Sequence, residues 1–197
     1  MRDDPTGSAR LSELVAAARA GEVGAAQALV EAVWADAFRI AHTVLRDAPL
    51  SEDVAQEACV RLLAKLGTLR RAEAFRPWFY RLVTREAWAR LPRHGRETPW
   101  EEVEALAAIG TGTVELLDLR QAIGALPATY RLPLLFHYYL GLSDRETAEA
   151  LGTTAGAVRV RLAVARRRLK LALQDGSPPP RAATHMRPWP RPSGGER

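Results

Sequence analysis

The amino-acid sequence predicts an all-α protein made of two small helical domains joined by an acidic linker. Apolar residues recur at three- and four-residue spacing through most of the chain. Gly and Pro fall mainly between those segments, and no run alternates apolar and polar residues as a half-buried strand would. The 197 residues are 47% hydrophobic but only 7% aromatic, with Ala and Leu prominent, which suits short helices around ordinary cores.

Taken in order, Leu11 to Ala20 reads as a short helix opened by Ser12 and closed by Gly21. Ala25 to Leu45 carries Leu29, Val33, Ala37, Ile40, Ala41 and Val44 at helical spacing, and Pro49 ends the segment. Ser51 then reads as the cap of a helix running to about Leu66, with Glu52 and Asp53 opposing the positive helix end, and Gly67 stops it. Thr68 to Arg76 reads as a basic loop. Pro77 suits a helix start, and Trp78 to Leu91 continues until Pro92. From His94 to Thr113, Gly95, Pro99, Gly110 and Gly112 surround Glu97, Glu101, Glu102 and Glu104, the composition of a linker. Helical patterning resumes at Val114 to Ala125, breaks at Pro127, and runs from Ala128 to Leu140 before Gly141. The expected organisation is therefore 1–93, a first helical domain; 94–113, the linker; 114–174, a second helical domain; and 175–197, a disordered tail rich in Pro.

The second domain carries the sharpest local signal, between about Leu119 and Leu173. Ser143 followed by Glu146 makes a capping box for a short helix, Asp144 to Leu151, ended by Gly152. Thr153 and Thr154 lead into a long helix from about Ala155 to Leu173. Two helices joined by a Gly-containing turn are the parts of a helix-turn-helix that binds duplex DNA, and the small Ala148 lets them cross closely. Along the second helix Val158, Leu162, Ala165, Leu169 and Leu173 form one apolar stripe. The remainder holds Arg159, Arg161, Arg166, Arg167, Arg168 and Lys170, with no acid between 155 and 174. A face of one sign fits a polyanion. The bland alternative, cations suited to a helix C-terminus, covers Arg166 to Lys170 but not Arg159 and Arg161, which lie near the end that enters a major groove.

Composition bounds the rest. The net charge is +5, and all but two of the 28 basic residues (Lys65 and Lys170) are arginine. Arginine recognises phosphates and guanine edges with planar, multiple donors. A coding bias toward Arg and Ala would raise the count as well, so position outweighs number. The single Cys59 excludes an internal disulfide and falls in an apolar pattern, the reading of a buried thiol. Met1 to Arg10 lacks the apolar core of a secretion signal, and no stretch approaches 18 consecutive apolar residues. A cytoplasmic protein without membrane insertion is expected. His42, His94, His137 and His185 are scattered without metal-ligand spacing, and no phosphate loop or nucleophile motif occurs. No enzymatic activity, metal or cofactor is expected.

Several short motifs in the C-terminal half resemble the promoter-binding domain of bacterial RNA polymerase sigma factors. They are Leu126-Pro127, Gly141-Leu142-Ser143, Glu146-Thr147-Ala148, Leu151-Gly152, Gly156-Ala157-Val158 and Arg166-Arg167-Arg168-Leu169. Within the sigma-70 family the likeness is greatest to the small extracytoplasmic-function (ECF) group. In the N-terminal half, Gly21 to Leu29, Phe38 to Leu45, Ser51-Glu52-Asp53-Val54-Ala55-Gln56-Glu57 and Pro77-Trp78-Phe79-Tyr80-Arg81-Leu82 follow the order of that family's core-binding domain. The resemblance implies a region-two-like domain and a region-four-like helix-turn-helix.

It also implies partners and sites. Asp53, Gln56 and Glu57, which share one helical face, would dock on the clamp helices of the polymerase largest subunit, and the second domain on the polymerase flap. Thr154, Ala155, Arg159, Arg161 and Arg166 would read the promoter −35 element. The segment 68–90 would capture and melt the −10 element, through Arg71, Arg76, Arg81, Arg85 and Trp88. The composition there fits single-strand capture, since cations interleave with Phe75, Trp78, Phe79, Tyr80 and Trp88. The same aromatics at helical spacing also read as core. Where the family typically has an Arg-Asn pair and, four residues on, an Asp, this chain has Thr84, Arg85 and Ala89; Val160 and Val164 replace residues commonly polar or basic. By resemblance the linker threads toward the RNA exit path; a solvated tether is the plainer reading. An anti-sigma inhibitor is a compatible further partner. The competing class is an autonomous helix-turn-helix regulator that binds duplex DNA without opening it. The acidic helix and the basic-aromatic loop discriminate, because such a regulator has no use for them.

Overall fold

The structure, a computed structural model, describes residues 5–69, 71–91 and 114–175. The predicted linker over 94–113 lies outside them, as do Arg70 and the Pro-rich tail beyond Asp175. Eight α-helices are described: α1 (Pro5–Arg19), α2 (Val23–Leu45), α3 (Ala48–Lys65), α4 (Phe75–Arg90), α5 (Val114–Ala125), α6 (Ala128–Leu134), α7 (Asp144–Leu151) and α8 (Ala155–Asp175). No strand occurs among the described residues.

Helix starts differ from the sequence reading: α2 begins at Val23 rather than Ala25, α4 begins at Phe75 rather than Pro77, and two helices open on other residues than expected. Ser12 does not open α1, which begins at Pro5, where a ring that lacks an N–H and presets φ costs nothing in a first turn. Nor does Ser51 cap α3. Asp47 does, its carboxylate accepting the Leu50 N–H at 2.8 Å. Ser51 is buried one turn in, and its hydroxyl donates to the Asp47 carbonyl. Asp47 is the better cap because Pro49 then falls in the first turn, where its missing donor is harmless. Other signals hold as read. Gly21 (φ 85°) follows α1, Gly152 (φ 63°) closes α7, and Ser143 and Glu146 form both halves of the capping box. The basic loop contains two short 3-10 turns, Leu66–Thr68 and Ala72–Ala74, and Leu69 pins it to the core.

Helices α1 to α4 pack around Leu29, Ile40, Val54, Leu62, Phe75, Phe79 and Val83, all essentially inaccessible. Cys59 is buried there, and burial pushes its thiol up to about 11. A smaller core of Leu126, Tyr130, Leu134, Ala148, Val158, Leu162 and Ala165 joins α6, α7 and α8.

The segment after α6 departs from a plain helix. Pro133 lies inside α6, and the chain widens into a π turn over Leu135–Tyr139. That turn sends Phe136 into the first core, where its ring lies 5.8 Å from Tyr80, nearly parallel. Leu132, Leu140, Leu142, Ala150 and Leu151 join the same cluster. The two helical units therefore share buried surface, with α7 packed along α4 and α6 against α2.

Candidate nucleic-acid and polymerase interfaces

The recognition helix α8 sorts its cations by exposure. Gly156, Arg159, Val160, Ala163, Arg166, Arg167 and Lys170 are exposed and follow helical spacing, so they form one outward stripe. Four of those seven are cationic. The opposite stripe, Val158, Leu162, Ala165 and Ala172, is buried. Arg161 and Arg168, seven residues apart, lie on the flank between. The Arg168 guanidinium carbon sits 4.6 Å from the centroid of the buried Tyr130 ring. Arg161 is half-buried on the same side, and burial lowers its pKa from the ordinary arginine value. The residues expected at −35 therefore separate: Arg159 and Arg166 face outward, whereas Arg161 leans on the helix-turn-helix itself. Thr154 is exposed, and its Oγ1 accepts the Ala157 N–H at 3.2 Å, capping α8. Ala155 is half-buried against the smaller core.

Sequence reading missed Tyr138. It is exposed in the π turn, and its hydroxyl accepts from Arg166 at 3.4 Å, which adds a phenol to the basic face. No periodic signal marks it, because the π turn shifts the register by a residue.

The acidic face of α3 is presented as expected. Asp53 and Gln56 are exposed and Glu57 is half-exposed; with Val60 and Arg90 they line a shallow groove. Val60 and Leu63 continue the same side of α3 and are exposed apolar residues, so the surface is acidic at one end and greasy at the other. Arg61 anchors Glu57 at 2.6 Å and also reaches Glu86 on α4. These bonds raise the Arg61 pKa, the hydrogen bond to Glu57 first among the causes. The Glu57 carboxylate is thus held by a cation that also grips α4.

The 68–90 segment divides as well. Arg81 and Arg85 point outward on α4, and Arg71 is exposed beside Glu73, 3.8 Å away. Arg76 instead donates to the Leu140 carbonyl at the end of the π turn, with its guanidinium 5.8 Å from the Tyr80 ring. Phe75 and Phe79 stack at 5.8 Å inside the core, and Trp78 packs against it. Trp88 is half-buried against the core, with its indole N–H enclosed and without a hydrogen-bond partner. Tyr80 donates to Asp36 at 2.6 Å, and burial raises its pKa. Thr84, at a position where the family typically has a promoter-contacting side chain, is buried and donates to the Tyr80 carbonyl at 2.7 Å. Arg85 and Ala89 are exposed.

Among the described residues no helix is long and apolar enough to cross a membrane, and no group of three or more His, Cys, Asp and Glu residues gathers.

A basic helix-turn-helix, an acidic helix and an arginine-aromatic segment on two all-α units are the features of a DNA-binding protein. Comparisons with known proteins agree. The family description "Sigma-70 region 2" matches residues 29–97, and "Sigma-70, region 4" matches residues 116–169. The chain is 31% identical over 175 residues to the ECF RNA polymerase sigma factor SigD of Mycobacterium tuberculosis (strain H37Rv), covering 82% of each chain. Its fold is similar to that of CnrH, solved in complex with the cytosolic domain of CnrY, with a TM-score of 0.64, 24% identity, and coverage of 84% of this chain and 98% of that one. It is also similar in fold to the sigma factor RpoE of Bartonella quintana, solved with the anti-sigma factor NepR, with a TM-score of 0.60, 22% identity, and coverage of 72% and 92%. The chain belongs to the ECF group of the sigma-70 family of RNA polymerase sigma factors. It is a transcription initiation factor whose partners are RNA polymerase and promoter DNA. The region 2 match decides against an autonomous regulator.

Proposed function

We propose that the outward stripe of α8 reads the −35 element, with Arg159 on base edges and Arg166, Arg167 and Lys170 on phosphates. The observation that carries this is the sorting of cations on one helix, four outward, Arg168 over the Tyr130 ring and Arg161 half-buried on the same flank. Asp53, Gln56 and Glu57 dock on the clamp helices of the polymerase largest subunit, and Val60 and Leu63 extend the contact with apolar area. The second unit rests on the flap. Arg71, Arg81 and Arg85 track the −10 strand, and Arg76 and Trp88 join them once uncovered. With Thr84 spent on its own helix and Ala89 lacking a polar group, −10 recognition rests on arginine more than in typical relatives. Domain limits of 1–93 and 114–174, with 94–113 threading toward the RNA exit path, follow from the same reading. RpoE was solved with an anti-sigma factor, which supports such an inhibitor as a further partner here. The chain works in the cytoplasm with the polymerase, which performs the chemistry.

Charge reversal tests the docking face. Glu57→Arg should weaken binding of the full chain to core polymerase by at least about tenfold, as like charges meet in an interface. Wild-type affinity in that variant would remove α3 from the contact.

A further inference from the structure

The first two turns of α8 present a face unlike the rest of the outward stripe. Its exposed residues there are Gly156, Arg159, Val160 and Ala163, and of these Arg159 alone is polar. Further along the stripe Arg166, Arg167 and Lys170 are all cationic. Val160 is 58% exposed, although the helix buries Val158, Leu162 and Ala165 on its other side. Val164 makes the contrast: it is half-buried against the smaller core, so its methyl groups already have a partner. Leu171 and Leu173 are exposed too, but they stand about 24 Å or more beyond Ala155, past a major groove about 12 Å wide. Val160 stands about 7.5 Å beyond Ala155, within that width.

Successive residues of a helix lie about 100° apart around its axis. Gly156 and Ala163 therefore fall on the midline of the stripe, with Arg159 to one side and Val160 to the other. Both midline residues are small. The space outside Gly156 is open, with Thr154 Oγ1 the nearest atom, 3.9 Å from where a Cβ would lie. A low midline lets the backbone come close to the base edges, so a side chain as short as valine reaches them beside the long Arg159.

The major groove offers donors and acceptors from every base pair but only one apolar group, the C5 methyl of thymine. Val160 has no donor and no acceptor. Pressed against a guanine, cytosine or adenine edge it would strip water from a polar atom and return no hydrogen bond. Pressed against a thymine methyl it buries apolar surface on both sides of the contact. We infer that Val160 is a specificity-determining residue that selects a thymine through its C5 methyl, one or two base pairs from the guanine read by Arg159. The short offset follows from placement, since neighbouring residues differ by about 1.5 Å along the helix and base pairs step by about 3.4 Å. The inference rests on the assignment of the outward stripe to the −35 element. It adds a base identity, and a contact made without charge or hydrogen bond.

The test deletes methyl groups from each side of the contact. Holoenzyme formed with the full chain selects −35 duplexes from a randomised pool. Thymines of the selected duplex are then replaced singly by uracil, which lacks only the C5 methyl. One replacement near the selected guanine should weaken binding about fourfold, the equivalent of about 0.8 kcal/mol for one methyl group. Val160→Ala should weaken binding of the all-thymine duplex by about 4- to 15-fold, with an unchanged salt slope because no phosphate contact is lost. In that variant the uracil penalty should fall below about 1.5-fold, as coupled partners require. Urea unfolding of the free chain should be unchanged, because Val160 is exposed. Uracil tolerated at every thymine overturns the inference. So does a uracil penalty that persists in full in Val160→Ala, or a loss of core binding by that variant without DNA, which would make Val160 a polymerase contact. Arg159→Ala on the same duplexes separates the two readings. A loss there with uracil tolerated everywhere keeps α8 on the −35 element and removes Val160 alone. No loss from Arg159→Ala removes α8 from the element, and the role of Val160 with it.

Discussion

Single alanine substitutions along α8 separate reading bases, holding phosphates and holding the fold. Arg159 lies four residues beyond Ala155, about 6 Å along the helix axis, within a major groove about 12 Å wide. Arg167 lies about 18 Å along, past the groove, where a cation meets the backbone. Arg168 lies against Tyr130. Arg159→Ala should therefore weaken −35 binding by about 5- to 150-fold, the equivalent of about 1–3 kcal/mol, and relax preference at one base pair. Arg167→Ala should weaken all sequences alike. Losing one phosphate contact lowers the salt slope by about 0.9, so its deficit should shrink about 3.5-fold between 50 and 200 mM salt. Arg168→Ala should leave the slope unchanged and cost about 0.5–2 kcal/mol of stability, through its cation–π contact. Fluorescence anisotropy of promoter duplexes with holoenzyme over a salt series, paired with urea unfolding of the free chain, reads all three. Base-selective loss from Arg161→Ala or Arg168→Ala equal to that from Arg159→Ala would refute the sorting. So would an unchanged slope in Arg167→Ala.

Other consequences follow from the same contacts. Ser143→Ala removes the acceptor of the Glu146 N–H and should cost about 1 kcal/mol in urea unfolding; a change below about 0.3 kcal/mol would mean water caps α7 equally well. Leu151→Ala, at 1% exposure, should cost about 2–5 kcal/mol. Because Leu151 belongs to the cluster shared by both units, helicity should still be lost in one transition rather than two. Arg61→Ala should weaken core binding less than Glu57→Arg does, since it frees Glu57 without removing it; an effect as large would make Arg61 itself a contact. Cys59, with its thiol pushed up to about 11, should resist alkylation by iodoacetamide at pH 8, where little thiolate exists, and react readily only in urea. Fast native-state alkylation would show that α3 opens locally.

Much of the fold was legible because helical periodicity and punctuation agree in this chain. The stripe of α2, the capping box of α7 and the Gly152 turn need only neighbours in sequence, and each stands where the pattern puts it. The helix starts at Pro5 and Asp47 were less legible, because competing cap residues stand within a few positions and tertiary packing chooses. On α8 periodicity gives Val158, Leu162 and Ala165 of the buried stripe, but Leu173 is exposed and Ala172 is buried in its place, and periodicity does not give the stripe's width. Width depends on the bulk that meets it, and Tyr130, distant in sequence, is large enough to claim Arg168, while Arg161 is half-buried on the same flank. The π turn escapes any 3.6-residue template, and Tyr138 and Phe136 escape with it. The acidic face of α3 was fully legible, since surface residues answer to their own helix alone. The arginine-aromatic segment was half legible. Sequence offers core and stacking as equal readings, and burial assigns Phe75, Phe79 and Tyr80 to the core while leaving Arg81 and Arg85 outside.

Run-off transcription with purified core polymerase tests the central claim most directly. Genomic promoter fragments are transcribed with core alone, with core plus this chain, and with core plus a double variant, Glu57→Arg with Arg159→Ala. The account predicts discrete transcripts that require the chain, start a fixed distance downstream of a shared pair of elements, and disappear with the double variant. Transcripts independent of the chain, or an undiminished pattern from the double variant, would contradict it.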